Sequence, residues 1–110
     1  MKIYWCIPET LFNLKKPSER EKDKEILEKE IKKYYGSVEI ETIGQKNQNE
    51  IEITVMGKPK YDGYEDAIER SVKAVVAQCY GEIAGQKTNV RQNYSAINPN
   101  FAPNDCHANN

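Results

Sequence analysis

Glutamates recur at alternate positions in two stretches, Glu39 and Glu41, then Glu50 and Glu52, with isoleucines between them. In an extended chain that spacing puts the acids on one face and the isoleucines on the other. A row of carboxylates can bind a hard cation, exchange protons with a substrate, or meet a basic surface. Glutamate has a long flexible stem, and no aspartate- or glycine-bearing ligand loop accompanies the row, so no metal site is expected. Alternation sets Lys2 and Tyr4 of a first strand, and Arg91 of a last one, on the same side as the acids. Lys2, Tyr4, Glu39, Glu41, Glu52 and Arg91 therefore form a candidate interaction face that runs from a basic edge to an acidic one. Two copies stacked about a two-fold axis would bring opposite edges together.

A second group, Lys58, Lys60, Tyr61 and Tyr64, flanks the start of a helix. The free N–H groups and dipole of a helix N-terminus favour anions. Lys60, Tyr61, Tyr64 and Arg91 are thus the candidate ligand-binding residues for a small anionic, nucleotide-like molecule. The plain alternative is an aromatic staple that fixes the loop.

Other chemistries fall away on spacing. His107 has Cys106 beside it, but neighbours in sequence seldom reach each other productively, and both sit in a tail rich in Asn and Pro. No C-x-x-C pair exists for zinc. Gly81 and Gly85 lie in or after a helix, whereas a phosphate loop places glycines before one. Ile3-Tyr4-Trp5-Cys6-Ile7 has a faint likeness to the first strand of RNA-recognition modules. The acidic stretch from Glu50 to Val55 lacks the stacking aromatics and basic residues such a surface needs. No catalytic residue and no cofactor is assigned.

These residues must be carried by one small domain, since the chain has 110 residues. Sixteen basic residues against seventeen acidic ones argue against a nucleic-acid binder. Thirty per cent charged residues and a mean hydropathy of −0.82 leave no apolar run long enough to span a membrane, and no signal peptide is read at the start. Three scattered cysteines, Cys6, Cys79 and Cys106, argue for a reducing, cytoplasmic setting rather than a disulfide framework.

Alternating Ile3, Trp5 and Ile7 predict a strand, and Leu11, Phe12 and Leu14 a docked turn. Ser18 with Glu21 reads as a capping box opening a helix to Tyr35, with Ile26, Leu27, Ile31 and Tyr34 on its apolar stripe. Two strands follow, and pairing 42 with 51, 40 with 53 and 38 with 55 makes a hairpin with Glu41 opposite Glu52. A second helix starts at Asp62 and carries Ile68, Val72, Val75, Val76, Cys79, Tyr80 and Ile83 to a stop at Gly85. Residues 88–97 read as a last strand or a loop. The domain covers 1–97, and 98–110 form a flexible tail.

This order predicts an α+β, ferredoxin-like split βαβ fold (β-α-β-β-α-β), with an antiparallel sheet in the order 4-1-3-2 and two helices on one face. The expected function is a non-enzymatic binding or interaction module, acting as a homo-oligomer through the open sheet face. The alternatives are a sensor or sequestering protein for the small anionic ligand, then a small hydrolase or nuclease. Nucleic acid and membrane are not expected partners.

Overall fold

The computed structural model describes residues 1–61 and 63–93. The helix start at Asp62, the end of the last predicted strand, the tail 98–110 and the Cys106–His107 pair lie outside these residues. The elements are β1 (Lys2–Pro8), α1 (Glu9–Leu14), α2 (Pro17–Tyr35), β2 (Glu39–Gln45), β3 (Glu52–Met56), α3 (Glu65–Tyr80), α4 (Glu82–Lys87) and β4 (Asn89–Asn93).

The sheet runs β2-β1-β3-β4 and is mixed: β1 is parallel to β2, β3 is parallel to β4, and β1 is antiparallel to β3. This corrects the expected antiparallel, ferredoxin-like sheet. In a split βαβ fold a strand intervenes between those joined by a helix. Here α2 and α3 each connect adjacent parallel strands, giving two β-α-β units that meet along β1 and β3. No sequence repeat announces this structural one.

The predicted hairpin is also overturned, because β1 lies between β2 and β3. The cause lies in β1. Ile3, Trp5 and Ile7 on one face and Tyr4 and Cys6 on the other are all 7 % exposed or less. A strand that is buried on both faces belongs at the centre of a sheet. Its insertion keeps Glu41 and Glu52 two strand spacings apart, about 10 Å, and removes the like-charge contact of the hairpin. Glu41 instead neighbours Tyr4, and Glu52 neighbours Cys6.

The helix-side core joins Ile3, Trp5, Ile7, Ile53 and Val55 of the sheet to Leu27 and Ile31 of α2 and Ile68, Val72 and Val76 of α3. The remaining surface of α2 carries ion pairs at helical spacing, such as Lys32–Glu28 and Lys33–Glu30. Its start is two residues earlier than the Ser18–Glu21 box implies: Pro17 is first in the helix, and the Lys16 N–H donates to Glu19 Oε1 at 3.0 Å. The predicted turn over Leu11–Leu14 is the short helix α1. The second long helix stops at Tyr80, not at Gly85, because Gly81 takes φ 102° and α4 begins after it. Ile83, assigned to the buried stripe, is consequently 71 % exposed.

Candidate functional site

One end of the sheet gathers the starts of β1 and β2 and the ends of β3 and β4. The Glu39 N–H donates to the Met1 carbonyl at 3.1 Å, and the Gly57 N–H donates to the Asn93 carbonyl at 2.7 Å. Gly57 has φ 126°, and a Cβ there would stand 2.0 Å from Met1 Sδ. The positive φ calls for glycine, and the missing Cβ leaves room for the Met1 thioether at the end of β3. α2 finishes above this end, where Gly36 at φ 79° turns the chain into β2. The loop after Gly57 folds back to α2, with the Lys60 N–H donating to the Tyr34 carbonyl at 2.8 Å.

Two groups bracket this end from opposite faces. On the helix side stand Tyr34, Tyr61 and Tyr64. Tyr34 and Tyr64 meet edge to face at 5.4 Å between centroids, and Tyr61 and Tyr64 at 5.7 Å. The Tyr34 hydroxyl lies 2.9 Å from Ser71 Oγ, tying α2 to α3, and Lys60 Nζ lies 5.7 Å from the Tyr61 ring centroid. On the open side, Lys2 Nζ stands 3.5 Å from both Glu39 Oε1 and Glu41 Oε2, and 5.4 Å from the Tyr4 ring centroid. Burial pulls the Lys2 ammonium toward deprotonation, but Glu39, Tyr4 and Glu41 together more than offset it and push its pKa up. Lys2 is therefore a held cation, suited to anchor an anion or stabilise a developing negative charge, and unsuited to act as a base.

The sequence-derived groups are rearranged. Lys2, Tyr4, Glu39, Glu41, Glu52 and Arg91 do share the open face, with Glu41, Tyr4, Thr54 and Arg91 in one row across the four strands. That row places the acids on the β2 edge and Arg91 on the β4 edge. Tyr4 and Glu52 are only 7 % and 5 % exposed, so the face is less open than the sequence implied. Lys60, Tyr61 and Tyr64 come together, but Arg91 is on the far side of the sheet from them and leaves that group. Glu65 and Asp66 fill the first turn of α3, which works against an anion at that helix start.

Sequence reasoning missed Tyr34, Ser71 and the Met1–Gly57 contact. Tyr34 was legible only as part of an apolar stripe, and Gly57 only as a strand end. Among the described residues no group of three or more His, Cys, Asp or Glu could hold a metal ion, and no helix is long and apolar enough to cross a membrane. Cys6 is fully buried and disulfide-bonded, whereas the scattered cysteines had argued against a disulfide framework. Cys79 is free, and burial, with Asp23 beside it, pushes its thiol up to about 12.

No protein-family model and no curated protein matches the sequence. Solved structures do match. A fused 4-OT (4-oxalocrotonate tautomerase) wild type, described as an asymmetric trimer, is 13 % identical over 93 % of this chain and 91 % of its own, with a TM-score of 0.71. A macrophage migration inhibitory factor-like protein from Entamoeba histolytica is 9 % identical over 92 % of both chains, with a TM-score of 0.70. A malonate semialdehyde decarboxylase inhibited by 3-bromopropiolate is 7 % identical over 100 % of this chain and 98 % of its own, with a TM-score of 0.66.

These matches overturn the expected non-enzymatic module. The structures that share the architecture along its whole length include a tautomerase and a decarboxylase, and the former is a trimer. The mixed sheet built from two β-α-β units is the fold of the tautomerase and macrophage migration inhibitory factor structures.

Proposed function

We propose that the protein is an enzyme that moves a proton on a small oxo-acid, working as a homo-oligomer at the sheet end where β1 begins. The full-length fold likeness to a tautomerase and to a malonate semialdehyde decarboxylase is the observation that carries this reading. The substrate and inhibitor those names print, malonate semialdehyde and 3-bromopropiolate, are small carboxylates. The local chemistry agrees. A carboxylate substrate needs a cation, and Lys2 is kept charged by Glu39 and Glu41. Proton abstraction next to a carbonyl needs a base within reach, and Glu39 supplies an exposed carboxylate beside that cation.

In this account the C–H bond next to the carbonyl breaks and its proton passes to Glu39. The electron pair moves to the carbonyl oxygen, where Lys2 stabilises the enolate. Return of the proton to oxygen gives the enol, and return to carbon gives the starting ketone. Tyr61, Tyr64 and Lys60 wall the helix side.

The test is proton exchange of 2-oxobutyrate in D2O, followed by NMR. The wild type should exchange the protons next to the carbonyl faster than buffer, and Lys2→Met should lower that rate at least about tenfold. Exchange at the buffer rate, or an unimpaired Lys2→Met, refutes the assignment. A solution mass near three times 12.7 kDa is expected, as for the fused tautomerase trimer.

A further inference from the structure

The face of the sheet away from the helices is sealed, although no described helix lies on it. Alternation sends Tyr4 and Cys6 of β1 and Glu52, Thr54 and Met56 of β3 to that side. All five are 7 % exposed or less. The helices place their apolar residues in the core on the other side, among them Phe12, Leu27, Ile68 and Ala84. Tyr4, Cys6, Met56 and Ile43 form a separate cluster made only of strand residues. A sheet face left to solvent keeps its side chains partly wet, and a methionine at 2 % exposure needs atoms stacked above it. Only Asp62 and residues 94–110 lie outside the described chain. A single residue in the loop before α3 cannot roof two strands, whereas the segment that continues from the end of β4 can.

The cysteines say where that segment is fastened. The chain has three; Cys6 is in a disulfide and Cys79 is free. Within one chain this leaves Cys106 as the partner of Cys6. The reach is ample. Cys6 neighbours Glu52, and Glu52 neighbours Asn89. Two strand spacings and the rise from 89 to 93 put Cys6 roughly 16 Å from Asn93. The stretch from 93 to 106 spans up to about 43 Å when extended. A covalent tie also suits a cover that binds weakly by itself. Glu52 Oε2 is buried without a hydrogen-bond partner among the described residues, which costs desolvation. Beyond Ile97 the segment offers Phe101 as its one large apolar side chain.

We propose that a Cys6–Cys106 disulfide straps residues 94–105 across this face, and that reducing the bond lifts the strap and uncovers Tyr4, Glu52, Thr54 and Met56. To form the bond, both thiols lose their protons and two electrons pass to a small-molecule disulfide such as oxidised glutathione, which leaves as two thiols. Dithiothreitol reverses the step: its own sulfurs join in a ring, and Cys6 and Cys106 regain their protons. The strap does not depend on the activity proposed for the Lys2 end of the sheet.

Two measurements on the full chain test it. A digest made after denaturation and alkylation without reductant should yield Cys6 and Cys106 in one linked peptide pair, with Cys79 alkylated. An alkylated Cys6, a bond from Cys6 to Cys79, or a covalent dimer through Cys6 overturns the proposal. Met1 and Met56 are the only methionines, so a methyl-labelled chain gives two methionine signals. In the presence of a soluble gadolinium chelate, dithiothreitol should make the Met56 methyl relax severalfold faster and leave Met1 unchanged. Cys106→Ser should show the same fast relaxation without reductant, and Cys79→Ser should behave as the wild type. A Met56 methyl that stays shielded in the reduced chain overturns the proposal. So does an equal gain at Met1, because the bond would then hold the whole fold rather than this face.

Discussion

Placing β1 between β2 and β3 makes an energetic prediction about three charged residues. Lys2 Nζ is 3.5 Å from Glu41 Oε2, whereas Glu41 and Glu52 are separated by β1. Coulomb's law at that separation gives about 1 kcal/mol in the dielectric of water and about 5 kcal/mol at an effective constant of 20. The side chains are 22 % and 43 % exposed, so solvent screening pulls the value to the low end. A double-mutant cycle of Lys2→Met with Glu41→Gln, read by urea denaturation in low salt, should return a favourable coupling of about 0.5–1 kcal/mol. At 1 M salt the screening length shrinks to about 3 Å, and most of that coupling should vanish. The parallel cycle of Glu41→Gln with Glu52→Gln should return almost nothing. A repulsive coupling between the two glutamates, with none between Lys2 and Glu41, would restore the hairpin and refute the sheet order.

Gly85→Ala sets two effects against each other: better helix propensity, about 1 kcal/mol, and overpacking. A Cβ at Gly85 would lie 2.6 Å from Ala77 Cβ and 2.8 Å from the Lys73 carbonyl oxygen, and backbone cannot yield as a flexible side chain does. Overpacking wins, and the variant should melt lower by an amount equivalent to about 1–2 kcal/mol; a higher melting temperature contradicts the α3–α4 packing. Cys79 and Tyr80 each have pKa values raised to about 12, by burial first and Asp23 second. The unfolded chain releases those protons sooner, so the folded state holds more of them between their ordinary values, 9.0 and 10.0, and 12. Stability should therefore fall as pH rises through that window, and Cys79→Ala should flatten part of the slope. With its pKa raised, the same half-buried thiol should react slowly with a maleimide at pH 8 in the native protein, and fast labelling would contradict that shift.

Period-two alternation named the faces of the strands correctly at particular residues. Ile40 and Ile53 do point to the helices, and Glu39, Glu41 and Glu52 do point away. Alternation cannot say which strand lies alongside, because the same inward row is satisfied by any apolar neighbour. The information was present in β1, where Tyr4 and Cys6 make the outward side nearly as apolar as the inward one, the mark of a central strand. Gly81 shows a similar ambiguity. Its neighbours continue the helical spacing, and only its positive φ, which no residue pattern reveals, ends α3 early. At the site, Lys60, Tyr61 and Tyr64 were legible as a group because they are close in sequence. Tyr34 and Lys2 reach the same sheet end only through the sheet order, so their place there could not be read from spacing.

The central claim is that small oxo-acids engage the end of the sheet where β1 and β2 begin and β3 finishes. Backbone amide shifts of the nitrogen-15-labelled chain during a titration with 2-oxobutyrate test it most directly. Saturable shifts should concentrate at Lys2, Glu39, Gly57 and Tyr64. Shifts confined to the loop around Gln48, or none at all, would contradict it.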